Sequence, residues 1–211
     1  MAPSRSHPAQ RSPSGHRGRV GPHRNFDPRR VGTLECAAWV AYYQRRWLTL
    51  LRASILLTRH TFGLPWPSTL FGAWLVLRAN QLWAPFPAND PDGARRAMAR
   101  LYALVARRHR ESFDPQRAAA LEVEWWRVHR AHQHGGADRR DLVHALQALY
   151  SYVYSVPDED VRVAAEQRAL AMDHSDRWVQ EGCDPESPLI AVEQAALVRS
   201  YAGLLAAVHD P

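Results

Sequence analysis

The stretch LEVEWWRVHRAHQH, residues 121–134, sets two glutamates, two tryptophans and three histidines within fourteen positions. These are the side chains of metal ligation and of acid–base chemistry, so their spacing decides what they can do. At about 100° per residue on a helix, Ala118, Leu121, Trp125, Val128, His129 and His132 share one apolar stripe. Glu122, Trp126, His129 and Gln133 form an adjoining, half-buried line, and Glu124, Arg127 and His134 point away. Zinc sites of the His-Glu-x-x-His type need histidines four apart, and di-iron carboxylate bundles use Glu-x-x-His. Neither pattern occurs here. The nearest spacing, Asp141-x-x-His144, falls off the apolar face of its helix. No metal is therefore expected, the weaker alternative being an ion held by Glu122 and His129 with help from other helices. His129 and His132 read more simply as polar-tipped aromatics packed in a bundle.

Two later carboxylates fall in the middle of apolar stripes. Ala165, Ala169, Met172, Asp176 and Val179 share one helical face, and Leu189, Glu193, Ala196, Leu197, Ser200 and Leu204 share another. By contrast, Arg162, Glu166, Asp173 and Arg177 have the spacing of a solvated ladder of ion pairs. An ionised carboxylate cannot be left alone in a core, so Asp176 and Glu193 must pair, protonate or line a wet cavity. Arg78 poses the opposite problem, because it lies in TLFGAWLVLRANQLW, a segment with almost no polar face. The economical expectation is a buried network in which Arg78 meets Asp176 or Glu193, with Glu122 or Glu35 as further partners. Asn80, Gln81, His129 and Tyr42 could converge on the same place and turn the network into a pocket.

The elements that would carry these groups are helices. Asp-Pro and Ser-Pro pairs at 90–91, 114–115 and 187–188 supply an N-cap followed by a first-turn proline. Glycines at 63, 135–136 and 182 stand where helices stop. Seven helices are expected, over about 33–61, 68–83, 91–110, 115–134, 139–155, 158–181 and 188–208, with no strand and no repeat. The fold is thus read as all-α, an irregular bundle around the largely apolar helix 68–83. The uninterrupted apolar run of that helix, Leu70 to Leu77, is too short to span a bilayer. Phe62, Trp66, Phe71, Trp74, Trp83 and Phe86 mark an aromatic-rich groove, suited to an apolar ligand, a protein partner or a lipid interface.

All 27 basic residues are arginine, and the formal net charge is +6. Residues 1–30 hold seven arginines and one acid, Asp27, which accounts for all of it. The body, 31–211, is formally neutral, so nucleic-acid binding is not expected of it despite the arginines of helix 91–110. The Pro/Ser/Gly/His/Arg-rich segment 1–30 is expected to be a disordered tail without a secretory h-region. Arg29-Arg30 has the look of a twin-arginine signal, but the polar and acidic ECAAWV follows it. Cys36 and Cys183 have neither metal-site spacing nor disulfide density, which suits a reducing cytoplasm. No Gly-x-Ser-x-Gly elbow, P-loop or Gly-x-Gly-x-x-Gly occurs, and Cys36 has no evident base.

LVLRANQLWAPFPANDPDGARR and LEVEWWRVHR resemble stretches of uncharacterised all-helical proteins of high-GC actinobacteria, over roughly residues 35–205. That resemblance implies a source and no activity or cofactor. The function expected from the residues is a cytoplasmic binding or interaction module using the aromatic region 62–86. The alternative is an enzyme whose bundle core combines Glu122, His129, Asp176, Glu193 and Arg78, with or without a metal.

Overall fold

The computed structural model describes residues 22–209. Among them there are eight α-helices and one 3-10 turn, and no strand. The helices are α1 (Pro28–Tyr43), α2 (Trp47–Phe62), α3 (Trp66–Trp83), α4 (Pro91–His109), α5 (Pro115–Gln133), α6 (Arg139–Tyr154), α7 (Arg162–Gln180) and α8 (Pro188–His209).

Their starts follow from local chemistry. Asp90 and Asp114 accept hydrogen bonds from the backbone of Gly93 and Gln116, each just ahead of a first-turn proline. Asp138 and Asp141 form a reciprocal capping box at the head of α6, which is the purpose Asp141 serves. Asp27-Pro28 is a further Asp-Pro cap, with Oδ1 accepting from Arg29 and Arg30. Arg29-Arg30 is therefore the first turn of α1.

Three boundaries differ from the sequence expectation, the simplest being the start of α7, which falls at Arg162 and not at 158 because residues 158–161 form turns. The segment 33–61 is two helices, because the chain turns at Gln44–Arg46, where Arg45 adopts a left-handed φ of 57°. Neither proline nor glycine marks that break. Residues 22–30, assigned to the tail, are folded onto the body. His23 and Phe26 are buried, and Arg24 forms an ion pair with Glu111 at 2.8 Å while donating to the Tyr154 carbonyl. Residues 1–21, the rest of that tail, lie outside the described residues.

Each helix packs on its neighbours in sequence, and α8 returns to pack on α1. The main core runs through Val31, Leu75, Leu101, Trp125, Leu146 and Tyr201, with a smaller cluster of Cys36, Val40, Trp178 and Leu197 between α1, α7 and α8. Helix α3 is not the centre. Only Thr69, Gly72, Ala73, Leu75 and Ala79 of it are buried, and Trp66, Leu70, Phe71 and Trp74 are about half exposed. An all-round apolar helix is usually a buried one, but here the bundle covers a single side. Helix α8 is the one helix among the described residues long and apolar enough to cross a membrane; it is packed against α7 and α1.

The tightest seam is between α1 and α8. A Cβ on Gly32 would lie 2.8 Å from the backbone nitrogen of Val198 and 2.9 Å from its Cγ2. Gly32→Ala should therefore destabilise by about 1–3 kcal/mol, as overpacking does when backbone must move. Urea unfolding of the variant beside the parent chain measures this, and an unchanged midpoint would mean that the seam gives way freely.

Candidate functional site

The buried cation of the core is an arginine other than Arg78, and it meets Glu35 and neither Asp176 nor Glu193. Arg168, on α7, keeps only 13% of its side chain exposed. Its guanidinium grips Glu35 of α1 in a two-pronged fork, Nη1 to Oε2 at 3.1 Å and Nη2 to Oε1 at 2.5 Å. Tyr201 of α8 donates its hydroxyl to the same Oε2 at 2.5 Å and accepts from Arg168 Nη1 at 3.0 Å. The guanidinium also lies 5.5 Å from the centre of the Trp125 ring and 5.8 Å from that of Tyr201. Arg168 stands between Ala165 and Met172 on the stripe that singled out Asp176, so its inward position was legible in the spacing.

Arg78 does not enter this network. It lies on the exposed side of α3, as do Asn80 and Gln81, and the Asn80 side chain donates back to the Val76 carbonyl of its own helix. Because the bundle covers only one side of α3, a guanidinium on the outer face stays hydrated, which corrects the expected burial of Arg78. Tyr42 is 40% exposed, and it is the next residue, Tyr43, that turns inward.

Asp176 and Glu193 do approach one another. Asp176 Oδ2 is 3.0 Å from His129 Nε2, and Gln133 Nε2 donates to Asp176 Oδ1 at 2.7 Å. Two residues one turn apart on α5 thus hold one carboxylate on α7. Glu193, on α8, is 1% exposed, and its Oε2 has no hydrogen-bond partner. Burial first, then the neighbouring charges of Glu35 and Asp176, push its ionisation up to about 8. A void of about 20 Å³ lies among Glu35, Trp39, Tyr43, His129, Ser175, Asp176 and Glu193, with Ala171, Met172 and Leu197 completing the wall. Burial, with Glu193 and Glu35 adding to it, drives the Cys36 thiol up to about 12, so it is no nucleophile at neutral pH.

Glu122 belongs elsewhere. It accepts from the Tyr102 hydroxyl of α4 at 2.7 Å, and burial raises its ionisation against that bond and against the attraction of Arg168. It therefore shares no partner with His129, although both stand on α5. Among the described residues no group of three or more His, Cys, Asp or Glu side chains is arranged to hold a metal ion. Asp173 leaves the expected solvated ladder to meet His132 at 3.0 Å and to pair with Arg139.

The six aromatic residues expected to form one groove divide. Trp66, Phe71 and Trp74 lie on the outer face of α3, with Phe71 and Trp74 stacked at 5.8 Å. Phe62 is half-buried against the core, and Trp83 sits on Trp126 under Arg130, which also lies over the exposed Phe86. No family model, curated protein or solved structure matches the chain.

Two outcomes follow from this geometry. Removing one member of a buried ion pair strands the other, at roughly 3–5 kcal/mol, so Arg168→Met should destabilise heavily. Arg78→Met should stay within about 0.5 kcal/mol, as exposed substitutions do; denaturant unfolding of both variants reads the contrast. Glu193 also sets a pH dependence. Between about 4.5 and about 8 the folded chain keeps a proton that the unfolded chain has released, so stability falls as pH rises through that window and levels above it. The slope contributed is at most roughly 1.4 kcal/mol per pH unit. The groups facing Glu193 are Glu35, Cys36 and Tyr43 from α1, His129 from α5 and Asp176 from α7. The difference in unfolding free energy between Glu193→Gln and the parent chain should widen with pH across the window, and a flat difference would contradict a buried, costly carboxylate.

Proposed function

We propose that this chain is a binding module that docks on an anionic membrane surface through the outer faces of α2 and α3. The observation that carries the reading is the coincidence of exposed apolar side chains with a stretch of chain that holds no acid. Leu48 is 85% exposed, and Trp47, Leu51, Trp66, Leu70 and Trp74 are about half exposed or more. From 36 to 89 there is no Asp or Glu, whereas Arg45, Arg46, Arg52, Arg59 and Arg78 all fall there. The formal neutrality of 31–211 hides this segregation, since five positive charges on one stretch are balanced by acids on the others.

Large exposed apolar side chains beside arginines suit the boundary between lipid headgroups and acyl chains, where rings and leucines bury and guanidinium groups meet phosphate. Arg59 lies over the Trp66 ring at 4.3 Å, and Arg45 and Arg46 immediately precede Trp47. Nucleic acid would use the arginines but would leave Leu48 and Leu70 without a partner. A cytoplasmic location belongs to the same reading, because the cytoplasmic leaflet is the anionic one.

A second reading, an enzyme, draws on one observation: the unpartnered carboxylate of Glu193 beside the His129–Asp176 pair. A buried acid next to a histidine–carboxylate pair is an arrangement for moving a proton.

Co-sedimentation of the full chain with vesicles tests the first reading. Binding is expected to phosphatidylserine-containing vesicles and to be weak on pure phosphatidylcholine. Leu48→Ser with Trp74→Ser should cut partitioning by an order of magnitude or more, since burying each such side chain contributes about 1.5–3 kcal/mol. Arg45→Glu with Arg46→Glu should weaken it at low salt, by about 1 kcal/mol per lost cation. Binding that survives all four substitutions would place the contact in residues 1–30. No binding to either vesicle would overturn the membrane reading in favour of a protein partner.

A further inference from the structure

We propose that the void between α1, α5, α7 and α8 is a binding site for a protonated primary amine, the –NH3+ group of an alkylammonium chain end or of the ammonium ion, with Glu193 as its counter-ion. This goes beyond the membrane reading and uses a different part of the molecule.

The walls name the ligand by what they lack. Glu193, Asp176 and Glu35 present carboxylate oxygens, and Ser175 and Tyr43 present hydroxyls. Each of these can accept a hydrogen bond. None of the donors nearby meets Glu193 Oε2, although the Ser175 and Tyr43 hydroxyls can donate as well as accept and Arg168 Nε is itself buried without a partner. Arg168 directs its two Nη groups to Glu35 and Tyr201, Gln133 serves Asp176, and His129 Nε2 lies against Asp176 as well. Glu193 Oε2 is buried with no partner, and a carboxylate in that position costs free energy unless a donor or a positive charge comes to it. The missing partner must therefore bring N–H or O–H donors, and a cation satisfies the charge as well. An ammonium group offers three such donors and no acceptor.

Size and lining narrow the class. A void of about 20 Å³ holds one water-sized group, since roughly 10–15 Å³ is the minimum for a water. An –NH3+ head fits that space and a quaternary ammonium does not. Trp39 and Tyr43, stacked at 6.4 Å, form an aromatic side to the void, and a desolvated cation gains from such faces. Met172 and Leu197 give an apolar lining that a short alkyl stem could lie against. The His129 and Asp176 side chains keep 17% and 15% of their surface, so solvent reaches the void beside them.

Calorimetric titration of the full chain at matched ionic strength tests this with three probes, n-butylammonium, ammonium and tetramethylammonium chloride. Saturable binding is expected for the first two and none for the third. It should strengthen from pH 6 to pH 8, as Glu193 loses its proton while both amines stay almost wholly protonated. Glu193→Gln, which keeps the shape and removes the charge, should weaken binding at least tenfold. Trp39→Leu, a substitution at a half-buried ring, should weaken it several-fold and serves if the first variant misfolds. A butylammonium affinity above that of ammonium identifies an amine chain end as the occupant; equal affinities identify the ammonium ion. Undiminished binding to Glu193→Gln, equal binding of tetramethylammonium, or no saturable heat with any probe would each overturn the proposal. Vesicle binding by the same Glu193→Gln chain should be unchanged, which separates a failure here from a failure of the membrane reading.

Discussion

The fork between Arg168 and Glu35 is the constraint around which the rest of the core is arranged. It ties α7 to α1, and the Tyr201 hydroxyl closes the link to α8. A guanidinium suits this position because its flat shape satisfies a carboxylate with two parallel bonds and stacks on Trp125 and Tyr201 at once. Such a pair recovers its desolvation only when the geometry is good. The arrangement therefore specifies how three helices meet as much as how firmly they hold.

The same fork leaves a deficit beside it. With Arg168 committed to Glu35, no arginine faces Glu193, and Asp176 is held by His129 and Gln133 of α5. Negative groups consequently outnumber positive ones around the void, and the chain answers by holding a proton on Glu193 into the neutral range. The retained carboxylate, with space beside it and aromatic rings along one side, is the arrangement of a receptor for positive charge.

On the outside the organising fact is segregation. Acids are absent from 36 to 89, and the same stretch carries the most exposed leucine and tryptophan side chains of the described residues. Large exposed apolar surface is costly in water and marks a place where something binds. The acid-rich void and the acid-free stretch share α1 and the turn after it, since Trp39 and Tyr43 line the void while Arg45, Arg46 and Trp47 begin the exposed segment.

By itself the sequence determined the helical fold class, most helix ends and the inward direction of Asp176 and Glu193. These are local matters: a cap is set by residues three apart, and a stripe by a repeat of 3.6. The cap at Asp27 and the inward position of Arg168 are equally local, the first set by Asp27-Pro28 and the second by the spacing of residue 168 from Ala165 and Met172. Only the tertiary structure decided which cation meets which acid, because that depends on the rotation of α1, α7 and α8 about one another, and no single helix encodes it. It also decided which side of α3 is covered. A helix apolar on every side carries no direction in its pattern, so Arg78 could be placed only once the neighbours of α3 were known. The break at Arg45 was hidden for a related reason: an arginine forced into a left-handed turn leaves no glycine or proline behind to announce it.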